Sequence, residues 1–406
     1  MFRIKPSFVT GAAIGLALAG AGIGAASSFA QSHVQASAAR ITPSNLSIAD
    51  FNKTQSAMAD LKSLAKAGKG GVYLILPDTN TSARYTEFDA PYFKKAMHLA
   101  GVPSSDYGVQ NAQHSDATFI TDAQADDTKG AKVLLIDPED PGTGATVYRY
   151  ANAHGVKVID YDRLTAGPYY VSFNNVRVGQ LLGQGLVSCV ARWMPHNSGL
   201  AHPKVIVMYG DPTDHNAALF GQGYNGVLNP LFSTGKWKKE ATPAGTWTPA
   251  TAETEFQAAF TAHPSSNALL APNDENAAPI ITYLQTQRVK PFTFPVTGQD
   301  ATLVGLQNIV AGYQCGTVYK PIFLETEAAA ALSLYLRAHK TPPKSLINGH
   351  TTNPNANNVS VPSVLDTPEW VTPQTMERTV VADGFVPASQ ICTGKYAADC
   401  RRYGIR

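Results

Sequence analysis

"AKVLLIDPEDPGTGATVYRYANAHGVKVIDYD", residues 131–162, holds two short apolar runs on either side of an amphipathic stretch. Runs such as "AKVLLI" and "VKVIDY" do not alternate with polar residues, which is the mark of strands buried on both faces. Between them "GATVYRYANAHG" has helical spacing and closes on a glycine. A strand, a helix and a second strand in so short a span predict a parallel crossover.

The same alternation extends in both directions. Upstream, "GVYLILPD" reads as a buried strand and "YTEFDAPYFKKAMHLAG" as a helix stopped by Gly101. Further upstream, "SIADFNKTQSAMADLKSLAKAG" reads as a helix that opens on the Ser47 and Asp50 capping pair and stops at Gly68 to Gly71. Downstream, "NNVRVGQLLGQGLVSCVARWM" is a helix with Asn174 and Asn175 at its cap, and "PKVIVMYGD" a strand. Then come the helices "NAALFGQGYNGVLNPL" and "AETEFQAAFTAHP", the strand "SNALLAPND" and the helix "NAAPIITYLQTQRV". "FTFPVTGQD" (strand), "ATLVGLQNIVAG" (helix), "CGTVYK" (strand) and the long helix "PIFLETEAAAALSLYLRAH" complete the series. The fold class is therefore α/β, with parallel sheets flanked by helices. Six strands end at an acid, Asp78, Asp137, Asp162, Asp211, Asp274 and Asp300. Ligands of open α/β sheets gather at those ends, although a single such Asp more often caps the next helix.

The N-terminus reads as an export signal. Arg3 and Lys5 precede the apolar "FVTGAAIGLALAGAGIGAA", and "SSFA" before Gln31 supplies the small residues a signal peptidase needs. The rival reading is a retained anchor, for which the glycine-rich run is barely long enough to cross ~30 Å. Removing residues 1–30 leaves ~375 residues, enough for two lobes. With 44% hydrophobic and 15% charged residues and a net charge of +2, the chain is globular and carries no electrostatic footprint for nucleic acid. An exported chain with four cysteines is expected to form two disulfides, and three pairings are possible. Cys392 with Cys400 closes a natural tail loop and leaves Cys189 with Cys315; a metal site is the rival, without a CxxC or HxxxH spacing to support it.

Set side by side, "TSARYTEF", "DYDRLTAGPYYVSFNN", "GDPTDHNAALF", "AGTWTPA", "APNDENAA", "TGQDATLVGLQNIVAG" and "TVYKP" form a set rich in acids, amides, bases and aromatics. A pyranose suits such partners: carboxylates accept from its hydroxyls, guanidinium and ammonium groups donate, amides do both, and aromatic rings cover its C–H faces. In order and spacing these segments resemble the sugar-binding proteins of bacterial ABC importers (periplasmic binding proteins of type I), in particular the D-xylose-binding branch. The resemblance covers most of residues 70–390. It implies two Rossmann-like lobes joined by a three-crossover hinge, with the sugar clamped between them.

Carried over residue by residue, it implies ligand contacts from Arg84, Tyr85, Asp162, Arg163, Asp214, His215, Asn216, Trp247, Asn273, Asp300 and Lys320. The implied crossings lie near Val171 to Phe173, near Val318 to Lys320 and near Gly349. The implied organisation is a signal peptide over 1–30 and a leader with a helix over 31–69. The N-terminal lobe then spans 70–172 plus 320–349, the C-terminal lobe 173–319 plus 350–391, and a tail 392–406. Three of these assignments have plainer rivals: Asp162 bridging Arg163, Trp247 packing in a core, Lys320 closing a hinge ion pair.

The chain departs from the family pattern at His215, which replaces an Asn, at Glu275 and Asn276 of "PNDEN", across Gly101 to Lys129, at Cys189 and Cys315, and beyond Gly384. The expectation is a periplasmic or otherwise extracytoplasmic monomer that binds a monosaccharide, D-xylose or a related pentose or hexose. It would need no cofactor, metal or nucleic acid, and would deliver the sugar to an ABC permease. A sensor that feeds a chemoreceptor or kinase is the alternative. A glycoside hydrolase is remote, because Arg163 and Lys320 would keep the acids ionised and no GxSxG, HExxH or Walker motif is present.

Overall fold

The computed structural model describes residues 41–79 and 81–406. The signal segment expected over residues 1–30 and the leader as far as residue 40 lie outside the described residues. Among the described residues twelve strands are formed: β1 (Gly71–Leu76), β2 (Tyr107–Asn111), β3 (Ala131–Ile136), β4 (Lys157–Tyr161), β5 (Tyr170–Phe173), β6 (Lys204–Val207), β7 (Lys238–Ala241), β8 (Ala268–Leu270), β9 (Thr317–Tyr319), β10 (Gly349–Asn353), β11 (Val359–Asp366) and β12 (Glu369–Val371).

The first lobe is built on a seven-stranded sheet of order β10-β11-β5-β4-β3-β1-β2. All its pairs are parallel except β10 with β11. Successive residues of a strand point to opposite faces, which explains the unbroken apolar runs. Val72, Leu74, Val133 and Leu135 pack into one cluster with Leu332 and Leu334 of the helix Ile322–Arg337. Tyr73, Ile75, Leu134 and Ile136 pack into another with Phe119, Val147 and Ala151.

In the second lobe β7-β6-β8 pair in parallel. Single bridges at Leu269–Val296 and Gln299–Val318 carry that sheet on to β9, which pairs antiparallel with β12. The helices Asn175–Trp193 and His215–Ser233 lie against each other over this sheet, with Val178, Leu182, Phe220 and Tyr224 between them and the strands. Disulfides join Cys189 to Cys315 and Cys392 to Cys400.

Several expectations are corrected. The chain leaves the first sheet after Phe173 and re-enters that lobe with the helix Ile322–Arg337. It crosses for the last time between Asp366 and Glu369, not near Gly349, because β10 and β11 extend the first sheet beside β5. Residues 350–366 therefore belong to the N-terminal lobe. The stretch 392–406 is not a free tail, since Cys400 and Ile405 are buried in one cluster with Leu306 and Ile309. The single helix expected over 47–68 is broken into Ile48–Asp50, Ser56–Leu61 and Lys62–Ala67, with Gln55 between them in the left-handed region at φ 58°. "FTFPVTGQD" supplies only bridges, because Pro295 within it has no N–H for a ladder.

Candidate functional site

The carboxyl ends of the strands of both lobes converge on one cavity. Arg84 and Tyr85 from the loop after β1, and Asp162 and Arg163 from the end of β4, form its floor on the first lobe. Asp214, Asn216, Trp247, Asn273, Asp300 and Lys320 face them from the second lobe and the hinge. Ten of the eleven residues expected from the sequence thus line a single cavity. Two of its acids sit on backbone in the left-handed region, Asp162 at φ 56° and Asp300 at φ 87°. Non-glycine residues are rarely held so, and such strain gathers at functional sites.

The floor is a dense ionic network. Arg84 donates from Nε and Nη2 to both oxygens of Asp89 (2.9 and 2.8 Å), from Nη1 to Asp162 (3.0 Å) and from Nη2 to Glu325. Burial disfavours its charge, but these three carboxylates hold its pKa well above the ordinary value. Burial also acts against an ionised Asp162; Arg84, Lys320 and Arg163 together outweigh it and hold that carboxyl below its usual range. Asp162 thus pairs with Arg84 rather than with its neighbour Arg163.

Arg163 is held more loosely. Its Nη2 donates to the Tyr85 hydroxyl at 3.3 Å, and its Nε stands 3.6 Å from Asp137 and 3.7 Å from Asp214. Most of its N–H groups are therefore free to meet a ligand. Burial pushes both Asp137 and Asp214 upward, with Arg163 opposing in each case.

Across the cavity, Asp214 caps the helix His215–Ser233. One of its oxygens accepts from the Asn216 N–H (2.9 Å) and the other from Trp247 Nε1 (3.0 Å). That bond fixes the indole plane beside the cavity, with Phe220 edge-on to it at 6.3 Å. Asn273 caps the helix Asp274–Thr286 and donates to Glu275 Oε2 at 3.2 Å. Lys320 Nζ lies 2.9 Å from Asp300 Oδ1, so the hinge ion pair and the cavity wall are the same contact. The Asp300 loop is held from below by buried Asp274, which accepts from the Thr302 N–H, the Thr317 hydroxyl and Gln314 Nε2.

Asn216 is held on both sides: its Nδ2 donates to the Asp162 carbonyl, and its Oδ1 accepts from Tyr170 and Asn175 (all 2.8 Å). It joins the lobes and positions the Asp162 turn. Asn174 caps its helix as expected, by accepting from the Arg177 N–H at 3.0 Å.

His215 is the exception. It lines a separate cavity on the hinge side with Tyr170, His350 and Thr352, where burial pushes its imidazole pKa down. Adjacent residues of a helix point about 100° apart, so the turn that aims Asp214 and Asn216 at the cleft turns His215 away. Thr81, Ser82, Phe220 and Gln299 also line the cleft and were not singled out in the sequence. Phe220 follows Asn216 by four residues, one helical turn, and that spacing is the signal that could have found it.

Asp78, His114 and Glu139 bring their ligand atoms within 4.8 Å of one another at the rim. Hydrogen bonds already account for the grouping, from His114 Nδ1 to Glu139 (2.8 Å) and from the Thr81 N–H to Asp78 (2.6 Å). Chemically, the cavity offers ionised acceptors, ionised donors and an aromatic face.

A family described as the periplasmic binding protein domain matches residues 49–341. The D-xylose-binding periplasmic protein of Escherichia coli (strain K12) is 32% identical over 288 residues, 70% of this chain and 82% of that one. The multiple sugar-binding periplasmic receptor ChvE of Rhizobium radiobacter is 29% identical over 349 residues, 80% of this chain and 93% of its own. Among solved structures, a carbohydrate transporter solute-binding protein from Chloroflexus aurantiacus in complex with D-glucose superposes with a TM-score of 0.68. It is 27% identical, over 79% of this chain and 97% of that one.

Proposed function

The chain belongs to the periplasmic binding protein family, and from that membership we propose that its interlobe cavity binds a monosaccharide, D-xylose or a related pentose or hexose. It is a binding protein of the transport type and not an enzyme: it catches the sugar outside the cytoplasm and hands it to an ABC permease. Its site of action is the periplasm or another extracytoplasmic space, reached through the export signal read over residues 1–30.

The observation that carries this reading is the pairing of a fixed indole, Trp247, with ionised groups of both signs on opposite lobes. Asp162 and Arg163 stand on one lobe, Asp300 and Lys320 on the other and its hinge. A ring hydroxyl that bridges such groups makes charge-assisted hydrogen bonds of ~1.5–3 kcal/mol each. The ligand touches both lobes at once, so it stabilises the closed state over the open one, and this is what a permease can read.

The test is calorimetric titration of the mature protein with D-xylose, D-ribose, L-arabinose, D-glucose and D-galactose. Saturable binding of at least one sugar, without turnover, is expected. Heats indistinguishable from dilution for the whole panel would overturn the assignment.

A further inference from the structure

Beside the sugar cavity lies a second one of about 330 Å³, near the lower end of the roughly 300–1,000 Å³ of small-molecule sites. The two share Arg84 and Asp300 in their walls. At the seam Ser82 Oγ, which lines the first, donates to Glu275 Oε1, which lines the second, at 3.4 Å.

Their chemistry differs. The second cavity is walled by Ala83 and Phe88 from the first lobe, Leu303 and Val304 from the second, and Val386 from the C-terminal segment. Leu303 and Val304 are 38% and 42% exposed; Met194 and Val359 are the other large hydrophobic residues so exposed among the described residues. The two side chains are adjacent and both stand in the wall of this cavity.

The C-terminal wall is held firmly. Phe385 stacks on Phe88 with centroids 3.8 Å apart, and Tyr319 meets Phe385 edge-on at 5.0 Å. Val386 and Phe385 lie beyond residue 341, where the family match ends.

We propose that the second cavity receives an apolar substituent of the sugar, so that the protein prefers a glycoside with an aromatic aglycone to the free monosaccharide. This rests on the sugar-binding reading above. A substituent that leaves the ring past Arg84 and Asp300 passes from ionic walls to apolar ones and covers Leu303 and Val304. Glu87 and Glu275 also line the cavity.

The experiment compares free D-xylose and D-glucose with their methyl and phenyl glycosides, both anomers of each, by calorimetry on the mature protein and on Val304→Asp. Val304 is a surface residue outside the sugar cavity, and a thermal melt of the variant checks its fold. One anomer of the phenyl glycoside is expected to bind about tenfold tighter than its methyl counterpart, from the apolar area covered. Val304→Asp is expected to remove that gain and leave the free-sugar affinity unchanged. Free sugar that binds while phenyl and methyl glycosides bind alike, or a gain that survives Val304→Asp, overturns the inference and leaves the sugar reading intact. Silence toward every sugar and glycoside overturns both.

Discussion

Arg84 and Arg163 meet the same cavity in different states. Arg84 is clamped by Asp89, Asp162 and Glu325 and has one Nη1 hydrogen left for a ligand. Asp89 and Glu325 are completely buried. Arg84→Ala strips both of their cation, and breaking a buried pair from one side costs about 3–5 kcal/mol. Urea denaturation of the variant is therefore expected to show a large loss of stability beside any loss of binding. Arg163 stands at long range from Asp137 and Asp214, both already pushed toward their neutral forms by burial. Those acids can take a proton when Arg163 is removed. Arg163→Ala is expected to keep its unfolding midpoint close to the parent's and to lose sugar affinity by about 100-fold, two hydrogen bonds' worth. Parent-like affinity in Arg163→Ala would take that residue out of the ligand shell.

The helix pair Asn175–Trp193 and His215–Ser233 sets where the second lobe's side chains stand. It meets through glycines: a Cβ on Gly223 would lie 2.2 Å from the Val176 carbonyl oxygen, and one on Gly179 would lie 2.0 Å from that of Phe220. Gly223→Ala must therefore push the helices apart, at about 1–3 kcal/mol for overpacking. The same shift moves Asp214 and Asn216 at the helix start, so weaker sugar binding should accompany the lower denaturation midpoint. Much of this architecture was legible in the sequence because β1, β3 and β4 are buried on both faces and cannot be mistaken for amphipathic elements. Ten cleft residues could be named because the segments that carry them resemble the family's in order and spacing; of the six acids read at strand ends, Asp162 and Asp300 line the cleft. His215 was misplaced because the resemblance carried over its place in the segment, whereas its direction depends on helix phase. β10 and β11 went unread for another reason: "GHTTN" is mostly polar, as suits a sheet edge, and pairing with β5 comes from tertiary structure alone.

Stability at the scale of the whole molecule depends on covalent ties and on pH. Cys189, in the long helix, is joined to Cys315, just before β9 and the hinge residue Lys320, across 126 residues of chain. Replacing both cysteines by alanine frees that loop in the unfolded state and should cost about 2–5 kcal/mol in a denaturation titration. The pH response comes from buried carboxyls away from the cleft's cations. Burial raises Asp160, Asp274 and Asp366 to about 7 and Glu327 to about 8. For Asp160 burial prevails even against the N–H groups of Thr165 and Gly167 and the Thr165 hydroxyl. An unfolded chain loses these protons near pH 4, whereas the folded chain keeps them until pH 7 to 8. Between those limits the folded state binds more protons, so stability falls as pH rises. Asp162 has the opposite sign, because its pKa is lowered on folding, and what it contributes is lost only in acid below about pH 4. For these groups together stability is highest near pH 4, where the unfolded carboxyls titrate, and falls toward pH 8. A calorimetric melting temperature at least about 2 °C higher at pH 5 than at pH 8 is expected. A melting temperature that rises steadily from pH 5 to 8 would mean that these four acids are ionised in the folded protein.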